Sequence, residues 1–133
     1  MDLQGISLFD AISSRMSHLS QKQKVIAENV ANSDTPQYEA KTVEEFSFEN
    51  EMRRPSVGLG QTNDGHMAGT LPERTPVADV IRDPDAGPAS PNGNNVVLEE
   101  QLAASARTKG AHEKAVKLYT KHRDMIHTVL GGN

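Results

Sequence analysis

A chain of 133 residues with 14 Lys and Arg against 18 Asp and Glu has a formal charge of −4 and no acidic or basic block of five, which argues against a nucleic-acid partner because phosphate neutralisation needs a concentrated cationic surface. The absence of cysteine excludes a disulfide framework, a thiolate metal site and a cysteine nucleophile. Leu, Ile, Val and Phe supply only 27 of 133 residues, so the length suits one domain or one elongated unit whose burial comes partly from other chains.

The amino-terminal stretch MDLQGISLFDAISSRM holds no uninterrupted apolar run of signal-peptide length, and nowhere does the chain hold the ~18 apolar residues that a membrane-spanning helix needs. Any passage out of the cytoplasm is therefore expected to use a route without a cleaved hydrophobic leader. From Phe9 the spacing predicts a helix over residues 7–32. Phe9, Ile12, Met16, Leu19, Gln23, Ile26 and Val30 follow one another at alternating three- and four-residue steps, a heptad seam with one polar interruption. Such a rod is about 39 Å long at ~1.5 Å per residue. Ser13, Ser14, Ser17, Ser20, Gln21, Lys22 and Lys24 cover the other faces, so the helix is amphipathic and calls for a helical partner. Gln23 reads as one turn where the seam meets solvent, with a register-setting polar contact as the alternative.

The stretch NVANSDTPQY, residues 29–38, is a crowded stop signal. Asn29 and Asn32 stand one turn apart, and asparagine tolerates the left-handed conformation that ends helices. Asp34 suits a side-chain turn to its own backbone, while Pro36 forbids continuation and drives Thr35 out of the helical region.

Beyond the joint, residues 39–52 place Phe46 and Phe48 two apart among acids, which suits a short strand or extended segment with both rings on one side. Residues 53–95 contain six of the seven prolines and six of the ten glycines, the grammar of a loop that is mobile or ordered only against neighbours, with a short strand at PVADVI. The third segment opens at NNVVLEEQL and runs without proline to Leu130. Asn94 or Asn95 suits the helix cap, Glu99 and Glu100 the first turn, and Gly131 the stop. One seam carries Leu98, Leu102, Val116, Tyr119, Ile126 and Leu130, broken by Lys109 and Arg123. A second stripe carries Ala104, Thr108, Ala111, Ala115, Leu118, His122, Met125 and Val129. Two adjacent imperfect seams fit several neighbouring helices better than one. Arg107, Lys114 and Lys121, seven apart, read as a solvated basic face, with a lateral contact to acids of a neighbouring chain as the alternative.

The expected fold is mainly α, two long terminal helices pairing as a coiled coil around an irregular Pro/Gly-rich middle with short strands. Its divisions are 1–38, 39–93 and 94–133. Catalysis has little support. His18, His66, His112, His122 and His127 form no HExxH and no facing i, i+4 pair, and GLGQTNDG lacks the lysine and context of a phosphate loop. No catalytic residue, metal ligand or cofactor is expected.

The helix ending in ENVANSDTPQYEAK, the Pro/Gly-rich middle and the helix opening at SPNGNNVVLEEQL together resemble the bacterial flagellar rod and hook proteins. The resemblance covers roughly residues 7–42 and 90–133. The motif is close to Asn-Ile-Ala-Asn-Ala-Asp-Thr-Pro-Gly-Tyr, here with Val30, Ser33 and Gln37. It implies a structural, non-enzymatic subunit of the flagellar basal body, exported by the flagellar type III apparatus to the rod in the periplasm. The terminal helices would assemble helically around the export channel, for motility. Within the family the short tail and the DTP joint favour a proximal rod subunit over an FlgC-type one. The implied partners are further copies, other rod proteins (FlgC, FlgF, FliE), the export gate and the MS ring. Phe9, Ile12, Met16, Leu19, Ile26 and Val30, with the six residues of the carboxy-terminal seam, are the implied subunit-packing set. Asn29, Asn32, Asp34, Thr35, Pro36 and Tyr38 form the implied joint. Where the family has glycine after the proline this chain has Gln37, which favours a type I turn. The rival from another class is a soluble helical adaptor or type III export chaperone. A cooperatively folded, stable monomer would favour the rival, and low helicity of the isolated chain the rod.

Overall fold

The computed structural model describes residues 3–53 and 78–131. In chain order these form α1 (Leu3–Ala31), β1 (Lys41–Val43), α2 (Phe48–Arg53), β2 (Val80–Arg82) and α3 (Leu98–Val129). The protein is mainly helical, as expected, with two long terminal helices and a small sheet between them. None of the described helices is long and apolar enough to cross a membrane.

The heptad seam of α1 pairs with α3 in antiparallel fashion. Phe9 meets Tyr119 edge to face at 5.2 Å between ring centroids, and two heptads further along α1 the Gln23 amide Nε2 donates to Ser105 Oγ, two heptads back along α3. Gln23 thus makes the polar cross-helix contact and is no solvent-facing gap. Its Oε1 is buried without a partner among the described residues.

A second face of α1, not legible as an apolar stripe, buries Ala11, Ser14, His18, Val25 and Asn29. At ~100° per residue this stripe stands well round the helix from the Phe9 seam. It receives the middle of the chain. Ser14 donates to Glu51 of α2, His18 binds the Glu44 carbonyl, and Gln21 and Asn29 hold backbone of the two strand regions. Ser14 and Gln21, expected on solvated faces, are therefore structural contacts.

The two strands pair antiparallel with Lys41 opposite Arg82, Thr42 opposite Ile81 and Val43 opposite Val80. Two three-residue strands alone are marginal in water. Two side-chain amides of α1 extend the ladder: Gln21 donates to the Ala78 carbonyl and accepts from its N–H, and Asn29 does the same to Lys41. Each amide copies one rung of a strand pairing.

The extended segment expected over residues 39–52 is shorter than its spacing suggested. Phe48 opens α2, whose first turn is closed by Glu51 N–H on the Ser47 carbonyl and favoured by Glu49 and Glu51. The Phe46 and Phe48 rings are 6.5 Å apart and tilted by 53°. Of the expected loop over 53–95, residues 54–77 lie outside the described residues. Residues 78–95 do not wait for a neighbouring chain, since they are bonded to this chain's own strand and joint. The strand expected at PVADVI lies slightly later, at Val80–Arg82.

Helix α3 starts at Leu98 with Val97 as its cap residue and no side-chain cap. Asn94 and Asn95 do not cap it because their side chains are engaged in the joint. At the far end Gly131, with φ of +79°, donates its N–H to the Thr128 carbonyl, the left-handed stop expected there. The buried apolar core among the described residues is small: Ala11, Ile12, Leu19, Val25, Ile26, Ala40 and Val43.

Candidate functional site

The end of α1, the turn that follows it and the loop before α3 close on one another through asparagines. Asn29 is fully buried, at 0% exposure, in the last turns of α1. Its Nδ2 donates to the Lys41 carbonyl at 2.7 Å and to Gln101 Oε1 of α3 at 3.0 Å. Its Oδ1 accepts from Lys41 N–H at 3.0 Å and from the Tyr38 hydroxyl at 3.1 Å. A primary amide has two N–H donors and two acceptor lone pairs, so this side chain is fully satisfied while tying α1 to β1, Tyr38 and α3.

Asn94, at 3% exposure, makes the matching lock from the other side. Its Nδ2 donates to the carbonyls of Asn32 and Thr35, both at 2.8 Å, and its Oδ1 accepts from Val96 N–H. The carbonyls freed where α1 ends therefore find donors inside the chain. Asn95 Oδ1 accepts from Ala40 N–H, which sets the start of β1. Asn32 does not end the helix by turning left-handed. Its side chain reaches back instead, Nδ2 to the Glu28 carbonyl, with Oδ1 receiving the Thr35 hydroxyl. Asp34 is exposed, and the turn beside it is closed by Thr35 N–H on the Asn32 carbonyl.

The turn at Pro36 differs from the type I geometry expected. Tyr38 N–H returns to the Thr35 carbonyl, and Gln37 at the third position has φ of +59°, the sign a type II turn requires. Gln37 is the only non-glycine residue with positive φ among the described residues. It is held there by its N–H on the Asn92 carbonyl and by Gly93 beside it, where an added Cβ would stand 3.3 Å from Gln37 Cα. Left-handed backbone costs a side-chain-bearing residue about 1–2 kcal/mol, and glycine repays about 0.5–1 kcal/mol of that as unfolded-state entropy. Gln37→Gly is therefore expected to raise stability by about 0.5–1 kcal/mol, read as a higher urea midpoint; a lower midpoint would mean the side chain contributes more than its strain.

Charge plays a minor part here. Burial, with the Glu28 carboxylate second, holds the Tyr38 hydroxyl above its ordinary range, so it stays a protonated donor to Asn29. Lys41 Nζ lies 5.8 Å from the Tyr38 ring centre. The Arg82–Glu39 ion pair at 2.8 Å is well exposed and contributes little.

The two sets of packing residues have different surroundings. On α1, Ile12, Leu19 and Ile26 are buried and Phe9, Met16 and Val30 half-buried. Within this chain they line the face turned to α3. On α3 only Tyr119 is half-buried, against Phe9, while Leu98, Leu102, Val116, Ile126 and Leu130 are exposed, as are Leu118, Met125 and Val129. Arg107, Lys114 and Lys121 are also exposed. Val116, Met125 and Val129, with Thr120, Lys121 and Asp124 among them, line an open groove along the last four turns of α3. Among the described residues no cluster of three or more His, Asp or Glu could hold a metal ion. Sequence reasoning missed Gln21, Gln101 and the joint role of Asn94 and Asn95, polar side chains whose partners are distant backbone groups or, for Gln101, the Asn29 amide.

The family model described as "Flagella basal body rod protein" matches residues 9–38, which is α1 from its first ring contact through Tyr38 of the joint. Over 129 residues the chain is 33% identical to "Flagellar basal body rod protein FlgB" of Agrobacterium fabrum (strain C58 / ATCC 33970), covering 96% of each. It is 29% identical over 111 residues to the protein of the same name from Bacillus subtilis (strain 168), covering 84% of this chain and 83% of that one. With a relative of that identity matched along nearly its whole length, the chain belongs to the flagellar basal body rod protein family.

Proposed function

We propose that the chain is a structural subunit of the proximal rod, built helically into the drive shaft of the flagellum around the channel for exported subunits. Its action is packing, without chemistry. The observation that supports this reading is the apolar face of α3. Leu102 on one stripe of α3 and Leu118, Met125 and Val129 on the other are more than half exposed, Val129 at 85%, so the helix leaves a long apolar surface with no partner among the described residues. A head-to-tail contact whose rotation does not close would build a helix of subunits on such a face. Leu98, Leu102, Val116, Ile126 and Leu130 on the first stripe, with Leu118, Met125 and Val129 on the second, are then the subunit-packing residues, and the α1 seam acts indirectly by holding α3 in place. The basic stripe of Arg107, Lys114 and Lys121 would flank that contact and meet acids of a neighbour.

The joint sets the angle at which the middle of the chain leaves the helical pair. Its neighbours in the shaft would be further copies, other rod proteins of the FlgC, FlgF and FliE kinds, and at the base the export gate and MS ring. The small apolar core suits export of a largely unfolded chain through the flagellar type III apparatus, and since the joint is bonded within one chain it can refold in the periplasm before assembly, so a folded isolated chain does not by itself favour the rival. Purified basal bodies tested by mass spectrometry should contain the chain, and a strain lacking its gene should be non-motile. Its absence from basal bodies, with a stable soluble complex in the cytoplasm, would favour an adaptor or export chaperone.

A further inference from the structure

We propose that His18 is an acid-sensitive latch that holds residues 44–53, the stretch from the end of β1 through α2, against α1. The inference is independent of the rod reading, since every contact it uses lies within one chain. The imidazole is buried at 4% exposure on the face of α1 that receives the middle of the chain. Its Nε2 lies 2.7 Å from the Glu44 carbonyl, and a carbonyl can only accept, so Nε2 carries the hydrogen and Nδ1 the lone pair. Nδ1 is buried with no partner among the described residues. The ring also packs on Phe46, with centroids 5.4 Å apart, and Phe46 in turn meets the Arg15 guanidinium, 5.1 Å from its ring centre, and the Phe48 ring. One turn before, Ser14 Oγ donates to Glu51 of α2 at 3.0 Å. The lobe is thus fastened to α1 at Glu44, Phe46 and Glu51, and His18 takes part in the first two.

A proton on Nδ1 would create a buried N–H with no acceptor and a buried charge. The charged groups acting on the ring from α1 are Arg15 and Lys22, both of which repel it. From the stretch after β1, Glu44 offers its carbonyl to the ring, while the Glu44 and Glu45 side chains are exposed. From α2, Glu51 is taken by Ser14 and Glu49 is exposed. Burial therefore holds the ring below its ordinary value of 6.5, helped by those two cations and opposed by the Glu44 hydrogen bond. A folded value below the unfolded one means that the open state binds the proton more readily. The closed lobe is at full strength above pH 6.5 and weakens as pH falls below it, down to the value in the closed state. Over that window a single linked proton raises the open population by about tenfold per pH unit.

The test is amide hydrogen exchange of the full chain at pH 7.5 and 5.5, corrected for intrinsic rates and followed at Glu44, whose N–H is bonded to the Asp79 carbonyl. Protection at Glu44 should fall by up to about tenfold in the native chain between these pH values. It should stay level in His18→Gln, whose amide can donate to the same carbonyl without titrating, and in His18→Leu, which fills the site without a proton. Equal protection at both pH values in the native chain, an equal loss in either variant, or no protection at pH 7.5 would each overturn the latch.

Discussion

Replacing Asn29 by leucine is expected to destabilise the chain by about 4 kcal/mol and to abolish the native joint. The substitution keeps the volume roughly constant, so the loss is one of hydrogen bonding and not of space. It strands the Lys41 N–H and carbonyl, the Gln101 Oε1 and the Tyr38 hydroxyl at once. A buried polar group left without its partner costs about 1–3 kcal/mol, and some of these four would recover water by opening the joint. With so few apolar residues in the core, that opening is global in consequence. The measurement is urea unfolding of the isolated chain, compared with Asn29→Gln, which keeps the amide but misplaces it by one methylene and should fall between the two. A leucine variant within 1 kcal/mol of the native chain would show that the network is not what closes the joint.

The second large effect separates folding from assembly. Ile26 and Ile126 are the same residue type on the two long helices, but Ile26 is 5% exposed and Ile126 is 39% exposed. A carboxylate at Ile26 must be buried beside α3, at a cost of several kcal/mol, so Ile26→Asp should be synthesised yet fail to fold, leaving cells non-motile. Ile126→Lys places its charge near the end of α3, where a cation favours the helix, so the isolated chain should keep its helicity and stability within about 0.5 kcal/mol. Assembly is where it should fail, because a charge would sit in the apolar face offered to a neighbour. The expected result is a folded protein missing from basal bodies and cells that do not swim. Normal swimming with Ile126→Lys would remove this face from the subunit contact, and normal swimming with Ile26→Asp would remove the α1 seam from the fold.

The Phe9 to Val30 seam, the stop near Asn32 and the glycine end of α3 were legible because each is a local signal: a period, a proline, a residue that accepts positive φ. The second face of α1 was not. It is built from Ser14 and Gln21, which read as solvated residues, from His18, which read as a residue without a role, and from Asn29, which read as part of a helix stop, until their partners at Glu51, Ala78, Glu44 and Lys41 are known. Polar side chains that bond distant backbone groups leave no periodic trace in a sequence. Asn94 and Asn95 misled for a related reason, since asparagine before a helix is a good cap and only the closeness of the joint directs them elsewhere. At Gln37 the residue type pointed to one turn and the tertiary contacts imposed another, through Asn92 and Gly93.

The division of labour between the helices, α1 turned inward and α3 offered outward, is the central claim, and the lack of native cysteine makes it open to one labelling measurement. Leu118→Cys, at a position 53% exposed on α3, should react rapidly with a maleimide in the isolated chain and become protected in purified basal bodies. Ala11→Cys, at a fully buried position on α1, should resist the reagent in both. Equal labelling of the residue 118 thiol before and after assembly would contradict the account, because the face left bare in the single chain would then be bare in the rod as well.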